Sequence, residues 1–374
     1  MSIIITGDFF PGRDMAPYNP FSDKIIEVFK KHEYVMINLE APLTERGSPI
    51  SKTGPNLRMH PGFAKILKDS GVDCVCLANN HIRDFGDLGM EDTIKFCKEA
   101  GLDIVGGGMN ADQAAIPLIK EICSQRVAFL NYCEREFSIA GCDRAGANPF
   151  DIIDAYNDII RLKNKVDRII LIYHGGLEHQ NMPTPEMVKA FRFLIEAGAD
   201  AIASHHMHMY SGYELHKDKP IYYGLGNFFF KLDRKHLDGW YKGLLSDIEL
   251  NKNNINVKLH SVITDPHFEL VDFAEEPMKE QVSQHICTIN KVINDGNSFA
   301  KYWDKQYSDL REKTLRIYCY RSRNLGRLAK IFRIKTRLSQ YRLNIILNTV
   351  RCETHRAKME AILEQYYNEQ VIEA

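Results

Sequence analysis

The stretch Ala201-Ile202-Ala203-Ser204-His205-His206-Met207-His208 runs a short apolar segment, built like a buried strand, straight into a histidine cluster. Two other stretches share this construction. Residues 74–78 lead into Asn79-Asn80-His81, and residues 169–173 lead into His174-Gly175-Gly176-Leu177-Glu178. Residue types that ligate metal or carry protons thus stand at the ends of successive strands, where open α/β sheets form active sites.

Further strand-length apolar runs lie at residues 3–6, 34–39, 104–105, 127–131 and 221–223. Between many of them, residues 23–31, 61–70, 88–100, 151–163 and 185–197 carry helical spacing. The alternation predicts an α/β protein. Gly71, Gly101 and Gly198 each follow a helical run, as glycines that close helices do. Residues 244–250 and 255–263 alternate around Asn251-Lys252-Asn253-Asn254, a hairpin signal. The body therefore ends in antiparallel strands near residue 272, giving a domain over 1–272 and a helical, basic region over 273–374.

The 374 residues, 44% hydrophobic and 26% charged, are enough for a large core and an appendage. Nine scattered cysteines without a CxxC pair argue against a disulfide framework or zinc knuckle and fit a reduced, cytoplasmic setting. No signal peptide is read at the start, and no run of about 18 apolar residues is present to span a bilayer. Charge is uneven: residues 301–374 hold 16 Lys/Arg against 8 Asp/Glu, on a chain whose net charge is −1.

Each polar strand end has a functional and a structural reading. Asp8 follows the first strand, and Gly7-Asp8 taken alone reads first as a turn or cap. Glu40 follows residues 34–39 and is either a ligand or a helix cap. Asn80 beside His81 supplies a neutral oxygen ligand and a proton carrier, with Asp84 placed to orient His81; a capped polar turn is the other reading. His174, with Glu178 four residues on as a catalytic candidate, has two glycines behind it that leave room for a ligand. If 205–208 stays extended, His206 and His208 face one pocket and Met207 faces away; a solvated cluster is the alternative. Asn227, in Gly224-Leu225-Gly226-Asn227, lies near the same rim. Arg13 and Lys52 are read either as cations that steady an anionic substrate or as solvent-facing charges.

The succession Gly7-Asp8, Asn38-Leu39-Glu40, Ala78-Asn79-Asn80-His81 with Asp84 and Gly86, Gly106-Gly107-Gly108, His174 with Glu178, His206-Met207-His208 and Gly226-Asn227-Phe228 resembles the CapA family. That family is named for capsule and poly-γ-glutamate synthesis and is grouped with the metallophosphatase-like superfamily. The resemblance covers roughly residues 2–235. It implies a four-layer α/β/β/α sandwich with Asp8, Glu40, Asn80, His174, His206 and His208 as metal ligands. Glu40 would take the bridging place and His81 would act as general acid. Three positions depart from the metallophosphatase pattern. Phe10 stands where Asp-x-His would put an imidazole, Glu40 replaces an aspartate, and Gly175 replaces an aromatic residue, which would widen the pocket.

The mixed nitrogen and oxygen set suits Mn, Fe, Zn or Mg, one ion or two. The function expected is metal-dependent hydrolysis, of a phosphoester first, on a small or polymeric anionic substrate during synthesis of a capsule or other surface polymer. A metal-binding accessory or scaffold protein with little turnover is the rival, and an amide hydrolase or ligase on glutamyl polymer is a third reading. Residues 311–358 set an apolar stripe among arginines. That stripe either packs on protein or forms a basic surface for the inner membrane face or a biosynthetic complex. No nucleic-acid reading motif accompanies the charge.

Overall fold

Ile3 and Ile5 pack into one core and Ile4 into another, because side chains alternate across a strand and both faces of this one are buried. Met36 against Val35 and Ile37, and Cys74 and Cys76 against Val75, divide the same way. This is why the runs are apolar throughout rather than alternating. The computed structural model describes residues 2–12, 15–232, 238–251, 254–265, 267 and 269–319, with isolated positions 346, 359 and 363.

In chain order the strands are β1 (Ser2–Phe10), β2 (Tyr34–Leu39), β3 (Cys74–Cys76), β4 (Asp103–Val105), β5 (Gly107–Gly108), β6 (Leu118–Ile122), β7 (Gln125–Cys133) and β8 (Gly146–Ala147). They continue as β9 (Arg168–His174), β10 (Ala201–His205), β11 (Tyr213–His216), β12 (Lys219–Tyr222), β13 (Asn227–Phe230), β14 (Lys242–Leu250), β15 (Ile255–Thr264) and β16 (Val271–Phe273). The helices are α1 (Asp23–Lys31), α2 (Phe63–Asp69), α3 (Gly86–Ala100), α4 (Ala111–Ala114), α5 (Ile152–Leu162), α6 (Pro185–Ala197), α7 (Met278–Asn294) and α8 (Gly296–Cys319).

One sheet has the order β16-β15-β14-β1-β2-β3-β4, with β13 also paired to β1; the other has the order β11-β12-β10-β9-β7-β6. β1 to β4 are parallel, while β14, β15 and β16 extend the sheet as antiparallel strands. The sheets face each other across a core of Ile5, Met36, Phe129, Ile172 and Ala203. Phe29, Phe63, Leu67 and Met90 of α1, α2 and α3 cover the outer face of the first sheet. α5 and α6 cover the second, where the Phe191 ring lies 5.2 Å from Tyr173. The layers are therefore α/β/β/α.

Local signals set the helix ends. Ser22 Oγ accepts the Ile25 N–H at 3.2 Å to cap α1, Thr184 caps α6 ahead of Pro185, and Gly101 closes α3 in the left-handed region at φ 78°. The first compact unit is Met1–Asn294 and the second begins at Asp295. α7 belongs to the first: His285 bonds Tyr210 Oη at 2.8 Å, and Asn290 Oδ1 accepts the Tyr213 N–H at 2.8 Å. No described helix is long and apolar enough to cross a membrane. The basic stretch 311–358 lies outside the described residues beyond Cys319, apart from position 346.

Candidate metal centre

Strand register brings the polar residues together. Asp8 stands opposite Asn38 on β2 and opposite Asn227 on β13, and His174 stands opposite His205 across β9 and β10. β1 has irregular register on both sides near Asp8, so the strand re-aims just where its carboxylate is needed. Gly7 permits this. A Cβ there would lie 2.0 Å from the Gly226 carbonyl oxygen, the same oxygen that accepts the Asp8 N–H at 3.0 Å.

Among the described residues, two groups of ligand atoms lie within 4.8 Å of one another: Glu40, His174 and His206, and Asp8, Glu40 and His208. Glu40 belongs to both. His174 Nε2 is 3.1 Å from Asn80 Oδ1, 3.1 Å from His206 Nδ1 and 3.7 Å from Glu40 Oε1. His208 Nδ1 donates to Asn227 Oδ1 at 2.8 Å, so Nε2 presents its lone pair toward Glu40 Oε1, 3.7 Å away. Asn38 Nδ2 donates to Asp8 Oδ1 at 2.7 Å, while Asp8 Oδ2 accepts the His206 N–H at 3.1 Å.

Electrostatics favour a cation here. Burial holds His174 and His208 well below the usual histidine range and His206 down to about 4, so the imidazoles are neutral and carry lone pairs. Burial also raises Asp8, and burial followed by the nearby Asp8 raises Glu40 well above the usual carboxylate range. Among the described residues, Glu40 Oε1 is buried without a hydrogen-bond partner. An orphaned carboxylate oxygen flanked by neutral imidazole nitrogens fits a divalent ion, which would satisfy it and offset both carboxylate charges.

His81 lies at the edge of this set. Its Nδ1 is 2.6 Å from Asp84 Oδ2 and 3.0 Å from Lys52 Nζ, and Lys52 is ion-paired to Asp84 Oδ1. Two lone pairs could not face each other at the Asp84 distance, so Nδ1 carries the hydrogen and donates it to Asp84. Burial lowers the His81 pKa, Asp84 opposes that shift, and Lys52 reinforces it.

Several sequence expectations change here. Lys52 is not a solvent-facing charge: its side chain is 3% exposed, because Asp84 compensates it. The segment after β10 does not stay extended; His206 and His208 have φ of 85° and 55°. Both imidazoles still enter the pocket, through a turn rather than a period of two, while Met207 packs toward Gly176 and Gly224. Gly175 does not widen the site, since Glu134 Cγ and Tyr173 Oη each lie 2.5 Å from where its Cβ would be. Similarly, Met187 and Met207 fill the space beside Gly176.

Asn227 is buried, with its amide spent on His208 and on the Trp240 carbonyl. Glu178 stands on the exposed side, and its charge reaches Glu40, His81 and His206. Arg13 lies outside the described residues. Phe10 packs on Phe230 at 5.2 Å, in the helix-side core. Sequence reading quoted Asn38 within the Asn38-Leu39-Glu40 motif but gave it no role, although its two-residue spacing from Glu40 could have flagged a shared face. It passed over Glu136, whose Oε1 is 3.9 Å from His206 Nε2 and which no motif marks.

A buried pocket of imidazoles, carboxylates and an amide between two sheets defines the class. A model of the bacterial capsule synthesis protein PGA_cap family matches residues 2–232, and the chain belongs to that family. The capsule biosynthesis protein CapA of Bacillus anthracis is 31% identical over 210 residues, 54% of this chain and 51% of that protein, so the match spans about half that relative's length. The PGA biosynthesis protein CapA of Bacillus subtilis is 29% identical over 81% of this chain and 80% of its own. A probable polyglutamine synthesis accessory protein of Mycobacterium tuberculosis is 28% identical over 62% of this chain and 61% of its own. Among solved structures, a 5'-nucleotidase from Candida albicans is similar over 83% of this chain and 57% of its own, at 10% identity and a TM-score of 0.43, too loose to bear on the site.

Proposed function

We propose that the chain is a metal-dependent hydrolase, of a phosphoester first, acting in the synthesis of a capsule or other surface polymer. One observation carries this reading: Glu40 is shared by two groups of nitrogen and oxygen ligands, with the Asn80-His81 pair at their edge. Asp8, Glu40, Asn80, His174, His206 and His208 would hold the ion. A divalent cation supplies Lewis acidity toward a phosphoryl or carbonyl oxygen.

The remaining work falls to the chain. Asn38 and the His206 N–H steady Asp8, and Asn227 fixes the His208 tautomer. With Nδ1–H held by Asp84, His81 has Nε2 as the atom that takes up a proton and returns it to a leaving oxygen. The names of the Bacillus relatives support the polymer context.

Hydrolysis of aryl phosphodiesters and monoesters, with and without added Mn²⁺, tests the reading. Turnover that needs the ion and falls by about 10²- to 10⁴-fold in His81→Ala is the expected result. A metal-binding accessory role is the second reading. It is favoured by Phe10, which packs into the helix-side core where an imidazole would serve the pocket. Bound metal without turnover on these esters or on a glutamyl amide would select it.

A further inference from the structure

Lys52 is carried by a strap, residues 47–57, that passes over the Asn80-His81 turn. Neighbouring Ser51, Thr53, Gly54 and Pro55 are exposed, yet the Lys52 side chain is turned inward and is 3% exposed. Asp84 fastens the strap at three points. Asp84 accepts the Ile50 N–H at 2.9 Å and the Asn56 amide at 3.1 Å on its carbonyl, and the Leu57 N–H at 2.7 Å on Oδ2. At its start, Gly47 has φ of 81°, and a Cβ there would lie 2.4 Å from the Phe85 carbonyl oxygen, so the strap is pressed close.

We propose that Lys52 is a positioning residue of the site: its ammonium joins the Asp84 carboxylate to the Asn80 carbonyl and so fixes the Asn80-His81 pair. Lys52 Nζ pairs with Asp84 Oδ1 and donates to Asn80 O at 3.4 Å, while Ser138 Oγ donates to the same oxygen at 2.7 Å. The Asn80 peptide is therefore held from two sides. That placement keeps Asn80 Oδ1 on His174 and the His81 imidazole on Asp84 Oδ2. Asp84 is fully buried, and a buried carboxylate is costly without a compensating partner. Lys52 is that partner, which leaves its charge unavailable to a substrate. The catalytic consequence rests on the hydrolase reading; the positioning itself does not.

The test needs neither metal nor substrate. The full chain, ¹⁵N-labelled at histidine, should show an exchange-protected His81 Nδ1 proton, assigned by its loss in His81→Ala. The His205 Nε2 proton, which is donated to the Thr6 carbonyl at 2.7 Å, serves as the control. Lys52→Met should lose the His81 signal and keep that of His205, and propylammonium added to Lys52→Ala should restore it. Lys52→Arg keeps the charge should Lys52→Met fail to fold. Its signal should shift, because a planar guanidinium does not reproduce the ammonium's contacts. A His81 signal unchanged in Lys52→Met or in Lys52→Arg would overturn the proposal, as would failure of the amine to restore it. A wild-type chain without turnover would count against the hydrolase reading while leaving this readout intact.

Discussion

Glu40 combines two features that point to a bound cation: it is shared by both ligand groups, and its Oε1 is buried without a hydrogen bond among the described residues. Its folded-state pKa is raised, so the folded, metal-free chain keeps a proton that the unfolded chain releases. Stability in chelator should therefore fall as pH rises from the ordinary glutamate value toward the raised one. Glu40→Gln should flatten that slope, as chemical denaturation across pH will show, and should also abolish metal retention. His206→Ala should lower metal content, whereas His81→Ala should keep it and lose about 10²- to 10⁴-fold in turnover. Metal analysis and ester hydrolysis separate the two. The histidines and asparagines at strand ends could be picked out from sequence because each follows an apolar run. Asn38 could be flagged only by its two-residue spacing from Glu40, whereas Glu136 and the inward turn of Lys52 could not be picked out, since they depend on a neighbouring loop and a strap held by Asp84.

β1 is the element on which the site hangs, and two features tie it down. A Cβ on Gly7 would collide with the turn before β13, so Gly7→Ala should cost at least about 3 kcal/mol and disturb Asp8; thermal unfolding and metal content read both effects. Beside β1, Asp247 of β14 faces His32 Nε2 at 3.4 Å, while His32 Nδ1 bonds Val28 O at 2.6 Å at the end of α1. The hydrogen bond to Asp247 raises the His32 pKa. Burial opposes ionisation of Asp247, but bonds from His260 and His32 prevail and lower its pKa. The His32 contribution is full below about pH 6.5 and lost as pH rises through its raised value; that of Asp247 is present above about pH 4 and lost in stronger acid. Asp247→Asn should thus cost about 1 to 3 kcal/mol between about pH 4 and 6.5, with the gap narrowing at higher pH, as urea unfolding across pH will show. Buried parallel strands were easy to read because both faces demand apolar residues. β6 and β13 were not, since β6 is a partly exposed edge strand carrying Lys120 and Glu121 and β13 hides behind a glycine turn.

Across the molecule, the fold's contribution is to bring the carboxyl ends of two sheets together, so that Asp8, Asn38 and Glu40 from one meet His174, His206 and His208 from the other around a common carboxylate. Membership of the bacterial capsule synthesis protein PGA_cap family gives this centre its context, and the proposed function requires that the centre hold an ion. Metal content by mass spectrometry, on wild type and Glu40→Gln purified side by side, tests that directly. Near-stoichiometric divalent metal in the wild type and almost none in Glu40→Gln is the result predicted. Equal metal in both, or none in the wild type after exposure to Mn²⁺, would contradict a centre built around Glu40.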